Sequence, residues 1–138
     1  MSTDLNPYNE APVGTPKPAN EIYVFGSNQA GRHGKGSALV ARISYGAVLG
    51  VGEGPTERAY AIPTKDYSLR VRPLGAISKS VEQFLMYALR NPDLTFRVAK
   101  IGCLNAGYSE LQIAPMFYAA PQNCLLPAYW RELGDVLG

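Results

Sequence analysis

The chain has 138 residues, 46% hydrophobic and 17% charged, which suits one domain with a core and excludes disorder throughout. Its 13 basic and 11 acidic residues leave a net charge of +2, with no Lys/Arg run and no aromatic interleaving, so nothing points to a bulk polyanion partner. No apolar run approaches the roughly 20 residues of a membrane span, and the first residues lack the basic-then-apolar layout of a signal peptide. The expectation is a cytoplasmic protein with no membrane contact, its two cysteines, Cys103 and Cys124, reduced.

In chain order, residues 1–20 carry Pro7, Pro12, Pro16 and Pro18 without apolar periodicity. They read as a flexible, Pro-rich arm, either a plain tail or a segment laid over a neighbouring subunit. Residues 21–138 read as a single domain. Ile22–Phe25 is a short apolar run of the kind that forms a central strand covered on both faces. The stretch GSNQAGRHGKGS, 26–37, follows it. Ser37–Tyr45 then reads as a helix, with Leu39, Val40 and Ile43 at helical spacing and Gly46 as its C-cap.

Val48–Val51 is too short and glycine-rich for a full strand. Tyr60–Ile62 reads as the second strand, and Pro63, which has no N–H, is expected to stop its ladder. Thr64, Lys65 and Asp66 then emerge at a strand end. Leu74–Arg90 is the clearest helix, with an apolar stripe of Ile77, Val81, Phe84, Leu85, Ala88 and Leu89, and Ser80 off it. Met86 and Met116 read as core fillers. Thr95–Ile101 reads as a third strand and Glu110–Ala120 as a helix interrupted at Pro115. Cys124–Leu126 reads as a fourth strand. A last helix places Trp130, Leu133 and Leu137 inward.

Strands alternating with helices imply a mostly parallel sheet with helices on both faces. Ligands of such sheets bind beyond the carboxyl ends of the strands. Loops 26–36, 63–68 and 102–108 are therefore expected along one edge.

Each loop carries candidate chemistry. In the first, Gly26, Gly34 and Gly36 let bare backbone approach a ligand, and free N–H groups before a helix suit an anion. Gly31 and Gly36 have the spacing of a P-loop, but Ser37 stands where its lysine belongs, which argues against a nucleoside triphosphatase. Asn28 fits a ribose contact or a brace for the loop; Ser27 sits beside it. His33, the only histidine, fits a phosphate contact, a proton-transfer group or a surface residue, and no metal-ligand spacing accompanies it. Lys35 fits a point charge for phosphate or a plain surface lysine.

In the second loop, Lys65 fits a nucleophile or base, a phosphate clamp or a solvated side chain. Asp66 fits a group that orients Lys65 or positions a water. Glu53, in GVGEGP, is a more distant carboxylate. Arg70 and Arg72 form a polar rim and, with Arg58, a candidate nucleic-acid contact. In the third loop, Gly102 and Gly107 permit close approach. Leu104, Asn105 and Ala106 offer mixed edges, and Tyr108 fits a ring-stacking or a merely packed tyrosine. A nucleophilic Cys103 would need His33 as its base, in a pattern the spacing does not provide.

The pieces GSNQAGRHGKGSALVA (26–41), YAIPTKDYSLRVRPL (60–74) and VAKIGCLNAGYS (98–109), in this order, resemble the macrodomains, which bind ADP-ribose. They are most similar to the branch of glycohydrolases that remove terminal ADP-ribose from protein or DNA. The likeness spans roughly residues 22–126. It implies a three-layer α/β/α macrodomain-like fold with a mixed, mostly parallel central sheet and no cofactor.

For activity, the likeness implies binding of ADP-ribose or a related NAD-derived nucleotide. Hydrolysis of ADP-ribose from a modified nucleic acid or protein is the enzymatic form of that reading, and a non-catalytic binding module the alternative. It implies catalysis by Lys65, beside which a carboxylate, Asp66 or Glu53, would manage the water. Ligand contacts would come from Gly26, Ser27, Asn28, His33, Gly34, Lys35, Gly36, Ser37 and Thr64, and from Gly102, Cys103, Leu104, Asn105, Ala106, Gly107 and Tyr108. The branch's acidic position after its third strand is filled here by Asn105 and Ala106, and Lys100 and Leu104 replace its Arg and Gly. Binding is thereby favoured over turnover.

Overall fold

The computed structural model describes residues 20–103 and 106–137. All of the Pro-rich arm 1–20 except Asn20, with Leu104, Asn105 and Gly138, lies outside the described part. β1 (Glu21–Asn28) is the central strand. Residues 21–25 are all buried, with Ile22 and Val24 facing one layer and Tyr23 and Phe25 the other. Period-two alternation along a doubly covered strand produces this division.

β1 pairs in parallel with β3 (Ala59–Lys65) on one side and β4 (Thr95–Val98) on the other. β5 (Cys124–Leu125) extends the sheet beyond β4 in parallel, and β2 (Gly54–Thr56) closes the other edge antiparallel to β3. The strand order is β2-β3-β1-β4-β5. Helices cover both faces, so the architecture is a three-layer α/β arrangement around a mixed, mostly parallel sheet.

One face packs against α1 (Gly36–Tyr45), the other against α2 (Leu74–Arg90), α3 (Glu110–Ile113), a 3-10 turn (Ala114–Phe117) and α4 (Trp130–Leu137). The second face holds the larger core: Ile77, Val81, Phe84 and Ala88 of α2 meet Ile62, Phe96, Phe117 and Trp130, all fully buried. Burying Phe84 alone removes apolar surface equivalent to about 1.5–3 kcal/mol.

Several expectations change. β3 does not end at Pro63: Pro63 pairs with Ser27, the register then slips, and the ladder resumes with Lys65 opposite Asn28. A parallel ladder tolerates one missing donor when the next residue bulges past it. α1 buries Ala38, Ala41 and Tyr45, packs Val40 partly against the same cluster, and leaves Ile43 exposed. On α2, Leu89 and Met86 are exposed and Ser80 is buried, accepting a hydrogen bond from Arg72 Nη1 at 3.2 Å.

β4 stops at Val98, although Ala99 and Ile101 stay buried. Pro115 turns the expected helix 110–120 into one α-turn, capped by Ser109 and Gln112, followed by the 3-10 turn. β2 has no apolar pattern; Pro55 is tolerated because β2 is an edge strand.

At the end of the sheet remote from the strand C-termini, Glu21 is buried between β4 and α1. Its carboxylate accepts from Tyr45 Oη at 2.7 Å and from Arg97 Nε at 3.1 Å. Paired in this way, the buried charge is tolerated and ties three elements together.

Candidate functional site

A cleft of about 290 Å³ opens beyond the C-terminal ends of β1 and β3. Gly26, Ser27, Asn28, Arg32, Gly34, Lys35, Ala38, Thr64, Lys65 and Leu69 line it. The first two expected loops therefore meet, brought together by the β1–β3 pairing. Their path is fixed by short main-chain bonds: Gln29 N–H donates to the Lys65 carbonyl at 2.9 Å, and Gly31 N–H to the Asn28 carbonyl at 2.9 Å.

The polar side chains divide into braces and free ends. Asn28 is a brace: its Nδ2 donates to the Arg32 carbonyl at 2.9 Å and its Oδ1 accepts from Arg32 N–H at 3.0 Å. Ser27 Oγ donates to the Gly52 carbonyl, and Thr64 Oγ1 to the Ser27 carbonyl at 3.3 Å. Among the described residues, Arg32, Lys35 and Lys65 supply three cations to the lining, and no carboxylate joins them.

α1 begins at this cleft. Its N-cap, Lys35, is extended and makes no side-chain cap, and its first turn has no acidic residue. The first N–H groups of a helix need an outside partner, and the helix dipole favours an anion there. Sequence reasoning missed Arg32, Ala38 and Leu69. Arg32 lay in full view within the glycine-rich loop; Leu69 reaches the cleft only because the following turn folds back.

The segment from 46 to 52 supports the loop from behind. Gly50 N–H donates to the Gly31 carbonyl at 2.9 Å. A Cβ on Gly52 would overlap the Asn28 carbonyl oxygen, and one on Gly31, whose φ is +72°, would overlap Gly50. Main chain crosses main chain here with no room for a side chain.

Other expected residues fall elsewhere. Gly36 and Ser37 open α1 but are not among the lining residues. His33 is 1% exposed and packs edge-on against Phe25 on the α1 face of the sheet. Its ring nitrogens have no well-formed hydrogen bond among the described residues. Burial lowers its pKa from 6.5; the Val51 backbone opposes this and Arg42 adds to it. The ring is enclosed rather than on the surface, and it is not among the lining residues.

Asp66 does not line the cleft. Its Oδ1 accepts from the N–H groups of Ser68 at 2.8 Å and Arg70 at 2.9 Å, so the carboxylate shapes a turn. Glu53 is exposed and also outside the lining.

The third loop joins the edge only at its root. Gly102 lies against Gly26 and Thr64, but Cys103, Ala106, Gly107 and Tyr108 are not among the lining residues. Tyr108 Oη donates to the Arg72 carbonyl at 2.7 Å, a packed tyrosine. Cys103 is half-buried on the α2 face, opposite to His33, and burial, with Glu110 adding to it, pushes its thiol up to about 11. The pairing of this thiol with His33 therefore has no geometric basis. Arg72 is a brace too, with Nη1 donating to the Pro63 carbonyl at 2.7 Å. Arg58 lies over the Tyr45 ring at the opposite end of β3, so the arginines Arg58, Arg70 and Arg72 form no single patch.

No helix among the described residues is long and apolar enough to cross a membrane, and no three His, Cys, Asp or Glu side chains among them gather as a metal site. No family model, curated protein or solved structure matches the chain.

Proposed function

We propose that the chain is a macrodomain-like module that binds ADP-ribose or a related NAD-derived nucleotide, free or attached to a macromolecule, nucleic acid included. The observation that carries this reading is the cleft lining: among the described residues, three cations, the uncapped start of α1 and no carboxylate. A diphosphate is the part of such a ligand that this surround complements, through backbone N–H groups and mobile point charges. The bracing of Asn28 and Thr64 leaves the surface preformed, so little ordering is needed on binding.

Binding without turnover is favoured because hydrolysis at an anomeric carbon needs a group to manage the water, and the nearest acid in sequence, Asp66, has one carboxylate oxygen committed to its turn. A glycohydrolase is the second reading. Lys65, at the end of β3 and in the cleft, favours it: its deprotonated amine would attack the anomeric carbon as the bond to the carrier breaks, the carrier leaving with a proton, and water would then hydrolyse the adduct to free ADP-ribose and the amine.

Calorimetry with ADP-ribose, beside an assay for release of ADP-ribose from a modified oligonucleotide or protein, tests both. Heat without release supports the module. Release that disappears in a folded Lys65→Ala variant supports the enzyme. No heat with ADP-ribose, NAD or related dinucleotides overturns both.

A further inference from the structure

The turn after β3 is more tightly built than a connector needs to be. Asp66 N–H donates to the Arg70 carbonyl at 2.8 Å, and Leu69 N–H to the Asp66 carbonyl at 3.0 Å. The Asp66 carboxylate adds the two bonds already described. Beyond the turn, Lys65 bridges to Val71, and Arg72 N–H donates to the Thr64 carbonyl at 2.8 Å. Leu69 is held at φ +65°, a conformation that costs a branched residue energy and that persists only when its surroundings impose it.

This rigid frame holds apolar groups in water. Tyr67 is 72% exposed, Leu69 42% and Val71 44%. Leu69 also lines the cationic cleft, so the apolar surface and the phosphate-complementary surface are continuous. Arg70, on the same turn, is exposed as well.

We propose that the turn 66–70 is a stacking platform for the nucleobase of the ligand held in the cleft, with Tyr67 as the ring it lies on. The inference rests on the function proposed above and assigns the base-reading residue of that site. A base has a flat π-face, and Tyr67 offers it a solvated ring on a hydrogen-bonded turn whose Leu69 lines the cleft. Arg70 adds a planar cation at the same edge. Stacking tolerates any base, so the platform raises affinity for nucleotides over bare sugar phosphates more than it selects among bases.

The test compares ADP-ribose with ribose 5-phosphate, by calorimetry, on the wild type, Tyr67→Ala and Tyr67→Phe. The expected result is a loss of about tenfold in ADP-ribose affinity for Tyr67→Ala, retention for Tyr67→Phe, and ribose 5-phosphate binding alike in all three. Equal ADP-ribose affinity in wild type and Tyr67→Ala overturns the platform and leaves the cleft reading standing. An equal loss for both ligands in Tyr67→Ala also overturns it, since the ring would then support the phosphate site. Failure of the wild type to bind either ligand overturns the platform and the proposed function together.

Discussion

Asn28 and Lys65 stand opposite each other at the last rung of the β1–β3 ladder, one step after the register slips. Thr64 is the residue passed over, and its hydroxyl reaches back to the Ser27 carbonyl. Without that slip, Thr64 would face Asn28 and every later residue of β3 would shift by one position and reverse its face. The bulge thus sets Lys65, rather than Thr64, opposite Asn28, while both side chains line the cleft.

Lys65→Gln keeps length and polarity and removes the charge. Affinity for ADP-ribose is expected to fall by about 2 kcal/mol, on the order of thirtyfold, with the melting temperature unchanged. Calorimetry beside a thermal melt checks this; an unaltered dissociation constant would remove Lys65 from the phosphate site.

Two glycines near the cleft should behave in opposite ways. Gly52→Ala puts a Cβ into the Asn28 carbonyl and is expected to cost about 1–3 kcal/mol of stability. A Cβ on Gly34 meets nothing within 4 Å, and Gly34 is not among the residues with positive φ, so Gly34→Ala should melt like the wild type. If Gly34→Ala nonetheless weakens nucleotide binding, the loss reports ligand approach alone. Chemical denaturation of both variants decides the contrast.

Removing the Ser80 hydroxyl tests the support of the Lys65 turn. Arg72 Nη1 spans Ser80 Oγ and the Pro63 carbonyl. Ser80→Ala is expected to lower stability by about 1 kcal/mol, one net hydrogen bond. A variant as stable as the wild type in urea titration would show that Arg72 is held adequately by Pro63 alone.

The buried His33 makes stability depend on pH. Its folded-state pKa lies below 6.5, chiefly through burial, so below about pH 6.5 the unfolded chain takes up a proton that the folded chain resists. The contribution is complete above that pH and is lost as the pH falls toward the folded value. The wild type should therefore lose more stability between about pH 7 and pH 5 than His33→Leu does. Parallel profiles for the two proteins would mean that the ring is protonated without cost.

Much of this arrangement could be read from residue order. The doubly covered β1, the α2 stripe and the Gly46 cap follow from period and turn chemistry, and the meeting of loops 26–36 and 63–68 follows from parallel topology. What escaped depended on partners distant in sequence. Pro63 marks a missing donor, but only the neighbouring strand decides whether the ladder ends or slips. Ser80 reads as polar and solvated until Arg72 arrives from eight residues away. His33 has the composition of a ligand group, yet Phe25 and the crossing segment enclose it. Nothing in the residues around Arg32 distinguishes it from a surface arginine; only the β1–β3 pairing brings it to the cleft.

The crossing of Gly31 and Gly50, with Gly52 set against Asn28, is made of peptide groups alone. No second substitution could restore such a contact once a side chain intrudes, because there is no side chain to shorten in compensation. Arg32 and Lys35 are exposed on this route, so substitutions there leave the crossing untouched. The charge of the cleft can thus be altered by substitution while the backbone that shapes it is left in place.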